Sequence, residues 1–181
     1  MPAFQTLNRR TVARFGRFLS LEDRAIRLPD GRIIRRWPWV RTPDYVNILA
    51  RTTDGLFPIL RLRKYAVRGL ALAPPGGYVE PDESPLAAAR RELREEAALR
   101  APRWIRIGAC VVDSNRGAGT AHFFLALDAR PCPPAPSDDL EAHEMLWLNR
   151  RELEAALDAG RFRVLAWPAL VALGLRRLDR A

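Results

Sequence analysis

Glu92, Glu95 and Glu96 stand three and four residues apart. On an α-helix that spacing puts them on one face, where like charges repel and weaken the bare helix. A divalent cation removes the conflict. Hard ions such as Mg²⁺ take oxygen ligands, keep several waters and are completed by substrate phosphates. The set therefore suits metal-assisted chemistry on a phosphate group. The competing reading is a solvated face, because Arg91 stands four residues before Glu95 and Arg90, Arg94 and Arg100 add compensating charge. Charge runs ordinarily face water.

The spacing of apolar residues predicts the helix that carries this set. Leu86, Ala89, Leu93 and Ala97 form one stripe, with Ser84 as a plausible N-cap and Pro85 at the first helical position. The expected helix runs from residue 85 to about 99. A glycine pair, Gly76-Gly77, and the acidic residues Glu80, Asp82 and Glu83 precede it. An ordinary turn is the competing reading for the glycines.

Gly77, Glu83, Arg91, Glu92, Leu93, Glu95, Glu96 and Leu99 match the Nudix box, G-x5-E-x7-R-E-U-x-E-E-x-G-U, with U aliphatic. The chain thereby resembles the Nudix hydrolase family. Ala98 departs from the pattern where the family has glycine. Because that glycine ends the helix, a locally altered helix exit with intact chemistry is expected. "WVRTPDYVNILA", Pro75-Gly76-Gly77 and "DDLEAHEMLWL" extend the likeness toward the ADP-ribose pyrophosphatase and nucleotide-sugar hydrolase branch.

The resemblance implies an α/β/α sandwich with a mixed central sheet. It also implies Mg²⁺ or Mn²⁺ held by Glu92, Glu95, Glu96 and the Gly76 carbonyl. The expected reaction cleaves the pyrophosphate of a nucleoside diphosphate linked to another group, giving NMP and a phosphorylated partner. Arg91 would orient a glutamate, and Glu83 would brace the loop beside the helix N-terminus or bind a metal. A late acidic loop can supply the general base. Glu141 and Asp139 fall there as a further ligand and the base, or with those roles exchanged. Glu144 is a more distant candidate. Arg63, Lys64 and Arg68 are candidates for a phosphate and Tyr45 for a base or ribose, although Ala66 stands where the branch carries an arginine. A homodimer using N-terminal strands is also implied.

The remaining sequence frames this site. Length suggests one domain, divided into an arm and β-hairpin over residues 1–40 and a catalytic domain over 41–181 with its box at 77–99. Residues 1 to about 20 are weakly patterned and read as a short helix, an arm or a tail. Pro29-Asp30-Gly31 marks one hairpin, and Thr52-Thr53-Asp54-Gly55 a second between "YVNILAR" and "LFPILRLR". Strands at "RWIRIGACVVD" and "TAHFFLALDA" flank a glycine-rich loop from Ser114 to Gly119. "HEMLWL" is a further strand. A helix after Asn149 carries a capping-box pattern and ends at Gly160, and a last helix begins at Pro168.

The formal net charge is +9, nearly all from arginine. Such charge attracts anionic small substrates as well as nucleic acid, and a nucleotide-type small molecule is the favoured partner. Two cysteines without metal or disulfide spacing, and a basic N-terminus without a signal-peptide core, imply a cytoplasmic protein with no membrane partner. The alternatives are a Nudix hydrolase of free nucleoside di- or triphosphates or capped RNA, and a non-catalytic Nudix domain that senses nucleotides or binds nucleic acid.

Overall fold

The structure is a computed structural model and describes residues 3–136 and 142–180. Its chain divides into two compact units. One comprises the chain up to Asp44 with Cys110–Thr120, and the other Tyr45–Ala109 with the chain from Ala121.

In the first unit, β1 (Gln5–Phe15), β2 (Leu19–Arg27) and β3 (Ile33–Arg41) form an antiparallel meander. The alternatives of a short helix or a tail for the first twenty residues are corrected: most of them are strand. No alternating pattern marked β1 because most of its side chains are exposed, so neither face carries an apolar stripe. Pro29-Asp30-Gly31 does turn β2 into β3. Gly31 adopts φ +87°, and the Leu28 N–H donates to the Arg32 carbonyl at 2.8 Å. Buried Glu22 is paired with Arg24 at 2.7 Å and Arg41 at 3.6 Å. Burial works to raise its pKa, but these two arginines outweigh burial and hold it below the usual carboxylate range.

The second unit holds β4 (Tyr45–Thr52), β5 (Phe57–Leu62), β6 (Ala71–Ala73), α1 (Pro85–Ala97) and β7 (Leu99–Arg100), then β10 (His143–Leu148), α2 (Arg150–Asp158) and α3 (Ala166–Leu178). Strands β8 (Arg103–Asp113) and β9 (Gly117–Pro131) run through both units. Asp113 turns β8 into β9 by accepting the N–H groups of Asn115 and Arg116 at 2.8 and 2.9 Å. The glycine-rich loop is therefore shorter than its sequence suggests.

Strand β4 shows why helices cover both faces here. It pairs in parallel with β9, from Tyr45 opposite Ala121 onward, while β7 pairs antiparallel with β9. Along β4, Val46, Ile48 and Ala50 point into one core with Ala88, Ala89 and Leu93 of α1. Leu49 points into the other with Leu170, Val171 and Leu175 of α3. A β-carbon on Gly174 would stand 2.5 Å from Leu49 Cδ2, so α3 closes tightly on the strand. A strand buried on both faces reads as a continuous apolar run. The result is the expected α/β/α sandwich around a mixed sheet.

The expected hairpin between β4 and β5 does not form. The turn is present, with the Gly55 N–H donating to the Thr52 carbonyl at 3.0 Å, but β5 pairs with β6 and β10 in a separate sheet. The edge of β4 is taken instead by residues 75–78. Ile48 N–H donates to the Pro75 carbonyl at 2.8 Å, Val46 N–H to the Gly77 carbonyl at 2.9 Å, and Tyr45 bridges Tyr78. Helix α3 also departs slightly, starting at Ala166 rather than Pro168. Proline fits the first turn because its missing N–H has no helical acceptor there. Among the described residues, no helix is long and apolar enough to cross a membrane.

Candidate active site

Helix α1 is built as its sequence spacing requires. The Ser84 side chain accepts the Ala87 N–H at 3.2 Å, Pro85 opens the first turn, and Ala88, Ala89 and Leu93 are buried. Burying Leu93 stabilises the helix on its sheet by about 2 kcal/mol. Ala98 ends it in the left-handed region at φ 50°, ψ 40°, and its N–H bonds the Arg94 carbonyl at 3.1 Å. The expected alteration of the exit is therefore absent. Alanine adopts the conformation for which glycine is suited, and its side chain carries the strain. The Cys132 N–H then bonds the Ala98 carbonyl at 2.9 Å, fastening the exit beside the end of β9.

The glycine pair lies where a side chain would not fit. A β-carbon on Gly76 would stand 2.1 Å from the Val46 carbonyl oxygen, and one on Gly77 2.3 Å from Glu92 Oε1. With no side chains there, the loop lies flat on the edge of β4 and under α1. The Gly76 N–H then donates to Glu96 Oε2 at 2.7 Å, tying loop to helix.

Arg91 organises the carboxylates. Its Nε and Nη2 donate to the two oxygens of Glu83 at 3.2 and 3.1 Å. Nη2 also reaches the Tyr78 carbonyl at 2.9 Å, and Nη1 bonds Glu92 at 2.8 Å and Glu95 at 2.9 Å. These bonds use the full donor set of a guanidinium. Burial works to lower the Arg91 pKa, but the bonds to Glu83, Glu92 and Glu95 prevail and raise it. For Glu83, burial works upward, but Arg91 and the Glu80 N–H at 3.2 Å hold its carboxyl below the usual range.

The structure thus brings Gly76, Gly77, Glu83, Arg91, Glu92, Glu95 and Glu96 together. Asp139 and Glu141 lie outside the described residues. Glu144 is ion-paired with Arg61 between β10 and β5. Arg63, Lys64 and Arg68 lie between β5 and β6. Arg163 Nη1 donates to the Arg68 carbonyl at 2.5 Å, which ties that loop to the α2–α3 connection, and in β6 the Leu72 N–H donates to the Arg161 carbonyl of the same connection at 3.0 Å. Tyr45 packs against the core shared with α3.

Sequence reasoning missed Asn47. It is buried beside Gly76, and its Nδ2 donates to the Val46 carbonyl at 2.7 Å. The available signal was a single amide inside the apolar run of β4. It also missed the backbone carbonyl of Tyr78 as a partner of Arg91, for which side-chain identity carries no signal.

The carboxylate donors of α1 are all oxygens, the chemistry a hard divalent cation takes. The space over Gly77, which a β-carbon would fill, is where Glu92 lies. The donor chemistry of these residues fits such an ion. Among the described residues, no three His, Cys, Asp or Glu side chains converge on one metal position. Arg91 supplies the positive charge among them.

A glycine-led loop and a carboxylate-bearing helix are thus joined through one arginine on an α/β/α sandwich. The sequence pattern of the NUDIX domain matches residues 41–168, and the chain belongs to that family. It is a pyrophosphohydrolase of the family, whose hydrolases use divalent metal ions. The chain is 27% identical over 126 residues to the ADP-ribose pyrophosphatase of Bacillus subtilis (strain 168), covering 67% of this chain and 68% of that protein. It is 28% identical over 156 residues to the CMP-5'-(N-acetyl-N-hydroxy-3-aminopropyl)phosphonate hydrolase of Streptomyces rubellomurinus (strain ATCC 31215), covering 83% and 72%. A crystal structure of an ADP compounds hydrolase superposes with a TM-score of 0.82 at 21% identity, covering 98% of this chain and 95% of that one.

Proposed function

We propose that this enzyme cleaves the pyrophosphate of a nucleoside diphosphate joined to a second group, of the ADP-ribose or nucleotide-sugar type. A water oxygen forms a bond to one phosphorus as the bridging P–O bond breaks. The products are NMP and the phosphorylated second group, and the water proton passes to a carboxylate base. The observation that carries this reading is Arg91, which holds Glu83, Glu92 and Glu95 beside the Gly76–Glu96 bond. One relative is named for ADP-ribose and the other for CMP joined to a phosphonate, so both names pair a nucleotide with a second group.

Glu92, Glu95, Glu96 and the Gly76 carbonyl would hold Mg²⁺ or Mn²⁺. When bound, the ion neutralises charge on the diphosphate oxygens and makes water easier to deprotonate. Arg91 positions Glu92 and Glu95 rather than touching substrate, and Glu83 braces Arg91. Asp139 and Glu141 share the roles of base and further ligand. Arg63, Lys64 and Arg68 meet phosphate, and Tyr45 the base or ribose. The exposed Leu7, Val12, Phe15 and Phe18 support a homodimer through the N-terminal strands, with residues 1–40 as the dimerising part and 41–181 as the hydrolase. The enzyme is assigned to the cytoplasm.

The test is product analysis on NDP-sugars, ADP-ribose, dinucleoside polyphosphates, NADH, NTPs and NDPs with Mg²⁺ and with Mn²⁺. NMP plus a phosphorylated second group is expected. NMP with phosphate or pyrophosphate, or decapped RNA, would replace this reading with free nucleotides or capped RNA. Tight, salt-sensitive nucleic-acid binding without turnover would replace it with a binding domain.

A further inference from the structure

A cavity of about 610 Å³ lies along the flank of α1 that carries Arg90 and Arg94, bounded by Leu99, Arg100 and Trp104 and by Cys132–Pro133. Four arginines and one glutamate line it, and that glutamate, Glu95, is already bonded to Arg91 at 2.9 Å. Arg90, Arg94 and Arg100 have no carboxylate within ion-pair distance among the described residues, whereas Arg24, Arg61, Arg116 and Arg150 each have one. Arg94 is held in place by its Nε bond to the Pro133 carbonyl at 3.3 Å. The Trp104 indole N–H is committed to the Ala101 carbonyl at 3.0 Å, and its ring stands edge-on to Phe124. The indole is therefore fixed, with only its apolar ring left to meet a ligand.

We propose that this cavity, which meets the carboxylate site along Arg91 and Glu95, is a second binding site for a ligand bearing a phosphate dianion held by Arg90, Arg94 and Arg100. A guanidinium keeps its charge at every relevant pH and binds phosphate through paired donors. The volume falls within the range of small-molecule sites, about 300–1,000 Å³. It therefore admits a mononucleotide whose ring rests on Trp104 as readily as inorganic phosphate.

The proposal does not rest on the reaction assigned above. Calorimetry on the full chain in EDTA, with inorganic phosphate and separately with AMP, tests it without engaging metal-dependent binding. Arg90→Gln/Arg100→Gln should weaken phosphate binding at least tenfold. Both side chains are exposed, so circular dichroism should show an intact fold. Arg151→Gln, which removes a charge elsewhere, and Glu96→Gln at the carboxylate site should leave the affinity within twofold. AMP binding tighter than phosphate identifies a nucleotide site, and equal affinities identify a phosphate site. Absence of binding, or equal weakening by Arg151→Gln, overturns the proposal. So does loss confined to Glu96→Gln, an outcome that would leave the proposed hydrolysis standing.

Discussion

Glu92 lies against Gly77 so closely that a β-carbon on residue 77 would stand 2.3 Å from Glu92 Oε1 and 2.6 Å from its carboxyl carbon. The loop and the helix are thus fitted to each other at the point where the first carboxylate is aimed. Gly77→Ala should displace Glu92, costing about 1–3 kcal/mol of stability as an overpacked site does. A displacement of about 1 Å lowers turnover roughly 10²-fold. Denaturant unfolding and steady-state rates on the substrate found by the panel check both. Unchanged kinetics would show that the aim of Glu92 does not matter.

Glu96→Gln separates charge from geometry. The amide oxygen still accepts the Gly76 N–H, so the loop stays docked and thermal stability changes little. Turnover should fall on the order of 10²- to 10³-fold, as when one charge-stabilising group leaves an active site. Near wild-type rates in saturating Mg²⁺ would reject the assignment of this helix face.

Arg91→Lys keeps the charge but loses the planar fork that spans Glu83, Glu92, Glu95 and the Tyr78 carbonyl. Lysine offers fewer donors from a single point. A loss of about 1–2 kcal/mol is expected from the bonds left unmade. Urea midpoints of the variant and the parent chain give the comparison. An equal midpoint would mean that these bonds contribute nothing net.

Glu83 predicts an acid-side dependence. Its folded-state pKa is lowered: burial opposes ionisation, but Arg91 and the Glu80 N–H more than compensate. Its stabilising contribution is therefore complete above the ordinary glutamate pKa of about 4.3 and is lost as pH falls through the lower folded value. The stability gap between the parent chain and Glu83→Gln should be widest near neutrality and close below about pH 4. A gap that widens toward acid would contradict this sign.

Ala98→Gly should stabilise the chain. A left-handed residue with a side chain costs about 1–2 kcal/mol, and glycine avoids that cost at some loss of unfolded-state restriction. A gain of about 1 kcal/mol, or roughly 2–4 °C in Tm, is expected by thermal melting. A lower Tm would show that the helix exit is unstrained.

Much of the site is legible in the amino-acid order because it is local. Ser84, Pro85 and the apolar stripe define α1, and Asn149 with Glu152 caps α2 through hydrogen bonds at 2.8 and 3.0 Å, all within one turn of chain. Pairings between distant segments are less legible. β4 and β5 are joined by a turn that resembles a hairpin, yet β4 takes β9 on one side and residues 75–78 on the other. The β1 side chains carry no alternation because most of them are exposed.

By itself, then, the sequence determined the helix, its carboxylate face and the family to which they belong, because a period near 3.6 residues is a property of the local chain. Only the tertiary structure decided that Gly76-Gly77 would lie on the edge of β4 and beneath Glu92, and that Arg91 would gather Glu83, Glu92, Glu95 and the Tyr78 carbonyl. Those contacts depend on which backbone edge is left open and how closely two segments approach, and residue spacing along the chain encodes neither.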